Sequence, residues 1–291
     1  MPILMKNFIV PIDFSKDSLK GLDIAMLFSQ KMYVNIQMVY VQKASDDYHP
    51  GSFEEEHRFA ENNFKKIIQD YEPKLKNDSK LRYIIKKGRI YKEIVNQVES
   101  YKDGIIAAST HGASGFEDFF IGSNAFKIIS STGKPVITIN KGKSPKDIHK
   151  ILVPLRLHVD TRQKVPWAVD IAELFGAELH IISISTTNNK KDSSRLHAYL
   201  TQSIDYAKKR KIKLVTNKLH GDSLSTLVNT YAAAISADLV AIMNQKSAGW
   251  NPLMGNYVTE ILNHCPSAIL NIAAREKHIP LGFVSTGEYQ N

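Results

Sequence analysis

Short apolar runs alternate with longer amphipathic stretches from one end of the chain to the other. In the first half the runs predict strands over Phe8–Ile12, Asn35–Val41, Leu81–Lys86, Gly104–Ala108 and Val136–Asn140. Between them, apolar residues recur at helical spacing. Leu19, Leu22, Ala25 and Met26 follow a Ser15 suited to helix capping, and Phe53, Ala60, Phe64, Ile67 and Tyr71 line a second helix after "HPGS". A third helix is predicted from Ile90 to Ser100, and a fourth starts near Gly122. Strand–helix alternation of this kind requires parallel strands, because a parallel neighbour can only be reached by a crossover.

The same pattern then repeats. "KNFIVPIDFSKDSLKGLDIAMLFSQKMYVNIQMVYV" is matched by "HKILVPLRLHVDTRQKVPWAVDIAELFGAELHIISI", with Val10-Pro11 on Val153-Pro154. Gly88 falls on Gly221, Ile105–Ala108 on Leu239–Ile242, and the closing runs "KPVITIN" and "SAILNI" correspond. A charged Gly/Ser/Pro segment, "KGKSPKDIHK", joins the copies. The expected fold class is therefore α/β: two tandem open parallel five-stranded sheets, helices on both faces, related by a pseudo-twofold. The last strands of the two copies are expected to pair across that axis and so protect two sheet edges. Domain boundaries are expected at residues 1–142 and 148–274, with a C-terminal tail at 275–291.

Composition narrows the function classes. Of 291 residues, 43% are hydrophobic and 23% charged, a globular balance. No apolar run approaches the roughly 20 residues of a membrane span, and the N-terminal apolar run reads as a strand rather than a signal peptide. The single cysteine, Cys265, allows no internal disulfide and fits a cytoplasmic setting. The net charge of +9 is spread over the whole chain, which argues for a solvated surface and against a dedicated nucleic-acid site. There is no Walker-type phosphate loop, no G-x-G-x-x-G after the first strand and no zinc-spaced Cys/His set, so no enzyme class is indicated.

One stretch invites a ligand. "STHGASGFEDFFIGSNAFK" follows the fourth strand, at the strand end where open α/β sheets bind ligands. Gly112 permits close approach or positive φ. Gly122, Ser123 and Asn124 precede a helix whose free N–H groups can face an anion, with the Ser123 hydroxyl as a further donor. Asp13, at the end of the first strand, can accept from a ribose or an exocyclic amine. Each residue also has a plain structural role open to it: Gly112 in a turn, Asp13 and Ser123 as caps.

These residues together resemble the universal stress protein family in its tandem form, over about Lys6–Ile139 and Lys150–Ile272. The nucleotide-binding branch of that family carries Gly-x2-Gly-x9-Gly-Ser/Thr after the fourth strand. Gly112 and Gly122-Ser123 satisfy the later parts, and Ser109 stands where the first glycine belongs. The resemblance implies an ATP site, with magnesium, formed by Pro11, Asp13, Val41, Ser109, His111, Gly112, Gly122, Ser123 and Asn124. In it Val41 offers its backbone to adenine and His111 packs the loop. Ser109 is expected to weaken binding rather than prevent it. The second copy departs from the pattern, with Arg156 at the position of Asp13 and Gly255-Asn256 at that of Gly122-Ser123. The implied function is a cytoplasmic stress sensor or regulator, at most a slow ATPase, with a homo-oligomer or protein partner allowed. The rival is an interaction module that has lost its nucleotide.

Overall fold

The computed structural model describes residues 5–43, 50–110, 122–140, 144–244 and 256–274. The first half contains β1 (Asn7–Pro11), α1 (Ser18–Ser29), β2 (Asn35–Lys43), α2 (Pro50–Tyr71), β3 (Lys80–Gly88), α3 (Ile90–Glu99), β4 (Gly104–Ser109), α4 (Ser123–Ser131) and β5 (Val136–Ile139). The second half repeats the order as β6 (Lys150–Leu155), α5 (Val165–Phe175), β7 (Glu178–Ser185), α6 (Lys190–Ala207), β8 (Leu214–His220), α7 (Leu224–Ile235), β9 (Leu239–Asn244), α8 (Asn256–His264) and β10 (Ala268–Ala273). The predicted elements are all present, with ends shifted by no more than three residues.

Each half is a parallel five-stranded sheet, in the order β3-β2-β1-β4-β5 and, mirrored, β10-β9-β6-β7-β8. The two merge into one ten-stranded sheet through an antiparallel pair in which Ile137 faces Leu270, flanked by Thr138–Ile269 and Val136–Asn271. The expected pairing of the closing strands is thus observed. Strands at the seam are buried on both sides because helices cover both faces. Residues of α1, α2, α5 and α6 pack in one layer and those of α3, α4, α7 and α8 in the other, so each layer is a core continuous across the halves.

Side chains lock the halves together on each face. On one, Phe28 of α1 meets Phe175 of α5 edge-on, the ring centroids lying 5.1 Å apart. On the other, the locks are reciprocal. Asn140, just past β5, donates from Nδ2 to the carbonyls of Leu262 and Asn263 at the end of α8, at 3.1 and 2.6 Å. Asn244, the last residue of β9, donates to the Ile129 carbonyl near the end of α4 at 3.0 Å. Both amides satisfy carbonyls that a helix end leaves open.

The strand-end prolines shape the sheet. Odd-numbered residues of β2 face β1, as the bonds from Asn35 N–H to the Lys6 carbonyl and from Ile12 N–H to the Val39 carbonyl show. In β1 the odd-numbered residues face β4. The β1–β4 ladder stops at Ile9–Ile106, and its next rung would need an N–H on Pro11 directed at the Ala107 carbonyl. Proline cannot supply it. Pro154 does the same in the second half, where the β6–β9 ladder stops at Leu152–Val240. The sheet therefore opens at the carboxyl ends of β1 and β4, the point where strand order reverses.

The seam carries stability for both halves. Leu270→Ala is expected to cost about 2–5 kcal/mol and to lower a single cooperative urea transition, followed by circular dichroism. An unchanged midpoint would show that the seam contributes little.

Candidate functional site

The crevice between the carboxyl ends of β1 and β4 is built from three chain segments. The first leaves β1 through Asp13, Phe14 and Ser15. Asp13 Oδ1 accepts from the Ser15 N–H at 3.0 Å and from the Ser15 hydroxyl at 2.5 Å. Ser15 Oγ in turn accepts from the Ser18 N–H at 3.1 Å, which starts α1. Ser15 thus performs the capping expected of it, three residues ahead of the helix. Asp13 is exposed, and one of its oxygens is committed to this turn. The turn depends on Phe14, which adopts φ 64°. A left-handed conformation costs a bulky residue roughly 1–2 kcal/mol. Ring contacts with Tyr40 at 4.9 Å, Phe64 at 5.0 Å and Phe59 at 5.7 Å hold it there. Phe59 leaves 56% of its own surface in solvent.

The second segment is the end of β2. By the alternation described above, Val41 directs its N–H and carbonyl toward β1, two residues past the last bond that β1 makes at Val39. Among the described residues nothing pairs with them. The Val41 side chain is buried on the opposite layer, so only its backbone faces the opening. Pro11 lies between these two segments and keeps the β4 side clear.

The third segment joins β4 to α4. Ser109 is the last residue of β4 and stands opposite Ile139. The Thr110 N–H donates to the Ile139 carbonyl at 2.9 Å, and the Thr110 carbonyl accepts from the Gly122 N–H at 2.8 Å. That bond corrects one expectation, because the Gly122 amide is occupied and is no anion donor. The N–H groups of Ser123 and Asn124, both exposed at the first turn of α4, meet no acceptor among the described residues. They carry the partial positive charge of the helix end. Gly122 itself has an ordinary φ of −57°. It must be glycine for another reason: a Cβ there would stand 2.8 Å from the Thr110 carbonyl oxygen.

His111 and Gly112 lie outside the described residues, as do Gly255 and the tail at 275–291. The structure brings Pro11, Asp13, Val41, Ser109, Gly122, Ser123 and Asn124 to the carboxyl edge of the first half. Sequence reasoning missed Phe14 and Thr110. Phenylalanine gives no signal of positive φ, and Thr110 acts through its backbone, which no residue type reveals. Among the described residues, no group of three or more His, Cys, Asp or Glu is placed to hold a metal ion, and no helix is long and apolar enough to cross a membrane.

Gly122→Ala is expected to destabilise the chain by about 1–3 kcal/mol, because the added methyl displaces either α4 or the Thr110 carbonyl. Chemical denaturation measures this, and a neutral result would mean that α4 is not seated on Thr110.

The universal stress protein family model matches residues 5–140 and again residues 147–272. No curated protein matches the sequence. Among solved structures, a universal stress protein from Archaeoglobus fulgidus superposes with a TM-score of 0.75 at 19% identity, covering 93% of this chain and 99% of that one. A putative universal stress protein from Pseudomonas aeruginosa gives a TM-score of 0.66 at 17% identity, covering 93% and 94%. The cytoplasmic domain of a prokaryotic cation chloride cotransporter gives 0.53 at 11% identity, covering 92% and 95%. These likenesses share the fold described above. Matched along both of its repeats, the chain belongs to the universal stress protein family.

Proposed function

We propose that the first half, residues 1–142, binds an adenine nucleotide, ATP with magnesium, in the β1–β4 crevice. On this reading the protein serves as a cytoplasmic stress-response sensor or regulator, and the second half, residues 148–274, is a diverged partner.

The observation that carries the reading is a pair of unmatched backbone sets framing one opening. Val41 presents one donor and one acceptor, the combination that the edge of an adenine ring complements. The first turn of α4 presents the N–H groups of Ser123 and Asn124, which suit phosphate oxygens. Asp13 stands between them as an acceptor for ribose hydroxyls, held in place by its bonds to Ser15. The Ser123 hydroxyl adds a donor at the phosphate end. Magnesium arriving with the phosphates offsets their charge. The reading is of binding, with at most slow turnover.

Ser109 favours a second reading. A side chain at the position of the missing glycine crowds the ribose, and a crevice that no longer holds nucleotide leaves an interaction module acting through a protein partner or a second copy of the chain.

Calorimetric titration of ATP with magnesium, into protein stripped of nucleotide, separates the two. One site per chain is expected, and Ser109→Gly should tighten binding several-fold as the crowding is relieved. Asp13→Asn keeps an oxygen for the Ser15 turn and removes the charge. It should weaken ATP binding several-fold with little loss of stability. No binding up to about 1 mM ATP in either the natural chain or Ser109→Gly would discard the nucleotide reading in favour of the interaction module.

A further inference from the structure

The second half repeats the crevice and reverses the sign of its lining. Pro154 ends the β6–β9 ladder as Pro11 ends that of β1–β4. The chain then passes through Arg156, His158, Arg162 and Lys164 before α5 begins at Val165, with Asp160 the one acid in the segment. Thr161 ties the two ends of the segment together. Its hydroxyl accepts from the Arg156 N–H at 3.1 Å and from Lys164 Nζ at 3.2 Å, and its carbonyl accepts from Nζ at 2.7 Å.

Lys164 is only 2% exposed. Among the described residues, no carboxylate lies within ion-pair distance of its ammonium or of the Arg156 guanidinium. Asp160 is turned to His158, with Oδ2 3.8 Å from Nδ1, and to Gln163, whose Nε2 donates to Oδ1 at 2.8 Å. Burial holds the Lys164 ammonium well below the usual lysine range, and Arg156 pushes the same way. Burial lowers His158 too, with Arg156 and Lys164 adding to it and Asp160 opposing.

Neighbouring elements deepen the positive field. The Arg156 guanidinium lies over the ring of Tyr257, 5.0 Å from its centroid, in the first turn of α8. Arg162, 9% exposed, stacks on Tyr199 at 4.4 Å and donates to Gln202. The N-termini of α5 and α8 both end here, each with the partial positive charge of a helix start. A buried ammonium within the field of a guanidinium, with no counter-charge among the described residues, is expensive to maintain. An anion removes that cost.

We propose that the β6–β9 crevice is a phosphate site, held by Arg156 and Lys164, that takes a single phosphoryl group and not a nucleotide. The guanidinium offers a planar fork and the ammonium a point charge, the pair of donors that phosphate oxygens accept from. Arg156 occupies the position of Asp13, so the acceptor suited to a ribose is replaced by a cation, and the Tyr257 ring lies against it. What remains recognises phosphate alone. Inorganic phosphate and the phosphoryl group of a small ester share this chemistry. The site does not depend on nucleotide binding in the first half.

The test is calorimetric titration of inorganic phosphate, and separately of glycerol 3-phosphate, into the full chain at constant ionic strength. Binding to the natural chain is expected, roughly ten-fold weaker in Arg156→Ala, with Arg156→Lys between the two because it keeps charge without the fork. Arg156 is partly exposed, so its variants are expected to fold, and their melting temperatures without phosphate establish that. The phosphate signal should survive Asp13→Asn, which keeps the Ser15 turn and changes only the first crevice, and ATP affinity should be unchanged in Arg156→Ala. Tighter binding of glycerol 3-phosphate than of phosphate would identify an ester as the source, and weaker binding the free ion. Equal phosphate affinity in the natural chain and Arg156→Ala, or no binding up to about 10 mM, would overturn the proposal.

Discussion

The antiparallel contact between β5 and β10 is the constraint on which the molecule rests. Either half alone would leave an apolar edge strand, paired on one flank only, with unpaired N–H and carbonyl groups open to association. Pairing the two edges satisfies those groups and joins two modest cores into two continuous layers. Four helices cover each face. Burying side chains such as Ile137, Ile139, Leu270 and Ile272 at this line contributes about 1.5–3 kcal/mol each, shared by both halves. The Phe28–Phe175 contact and the amides of Asn140 and Asn244 then fix how the helices sit across it.

Proline has a comparable influence on the sites. Pro11 and Pro154 occur in strands that are internal to the sheet, where a missing N–H would ordinarily be disruptive. Their vacant donor positions both point toward the strand at which the order reverses. A residue unsuited to a sheet interior thereby sets where the ladder ends, at the same place in both repeats. The repeats then diverge in what they present there. An acid held by a serine turn stands at one opening, and an arginine stands at the same position in the other, its N–H tied through Thr161 to a buried lysine.

Much of the fold was legible in the sequence. Strand alternation, the repeat of Val-Pro and the paired closing runs required only periodicity and self-similarity, which burial imposes on residue type. The site was legible only in part. Asp13, Ser123 and Asn124 could be placed at the crevice because their chemistry shows in their identity. The role of Gly122 was not, because its glycine answers to the Thr110 carbonyl 2.8 Å from any Cβ, a contact made by backbone twelve residues away. Phe14 was missed because its strained φ is enforced by three distant rings rather than by its own preference. Lys164 gave no signal, since burial of a lysine is decided by what folds over it.

The reciprocal amides at the seam have a geometric consequence. Because β5 and β10 run in opposite directions, the carboxyl ends of the two sets of strands emerge on opposite rims of the ten-stranded sheet. Helix α4 begins at the first crevice and ends on Asn244, at the rim of the second. Helix α8 begins beside Arg156 and ends on Asn140, at the rim of the first. Two counter-running struts therefore span the sheet, each with its head in one crevice and its foot on an asparagine at the other. Ligands in the two crevices cannot touch, yet an axial shift of either strut at its head is a displacement at its foot, carried by a rigid rod and one amide.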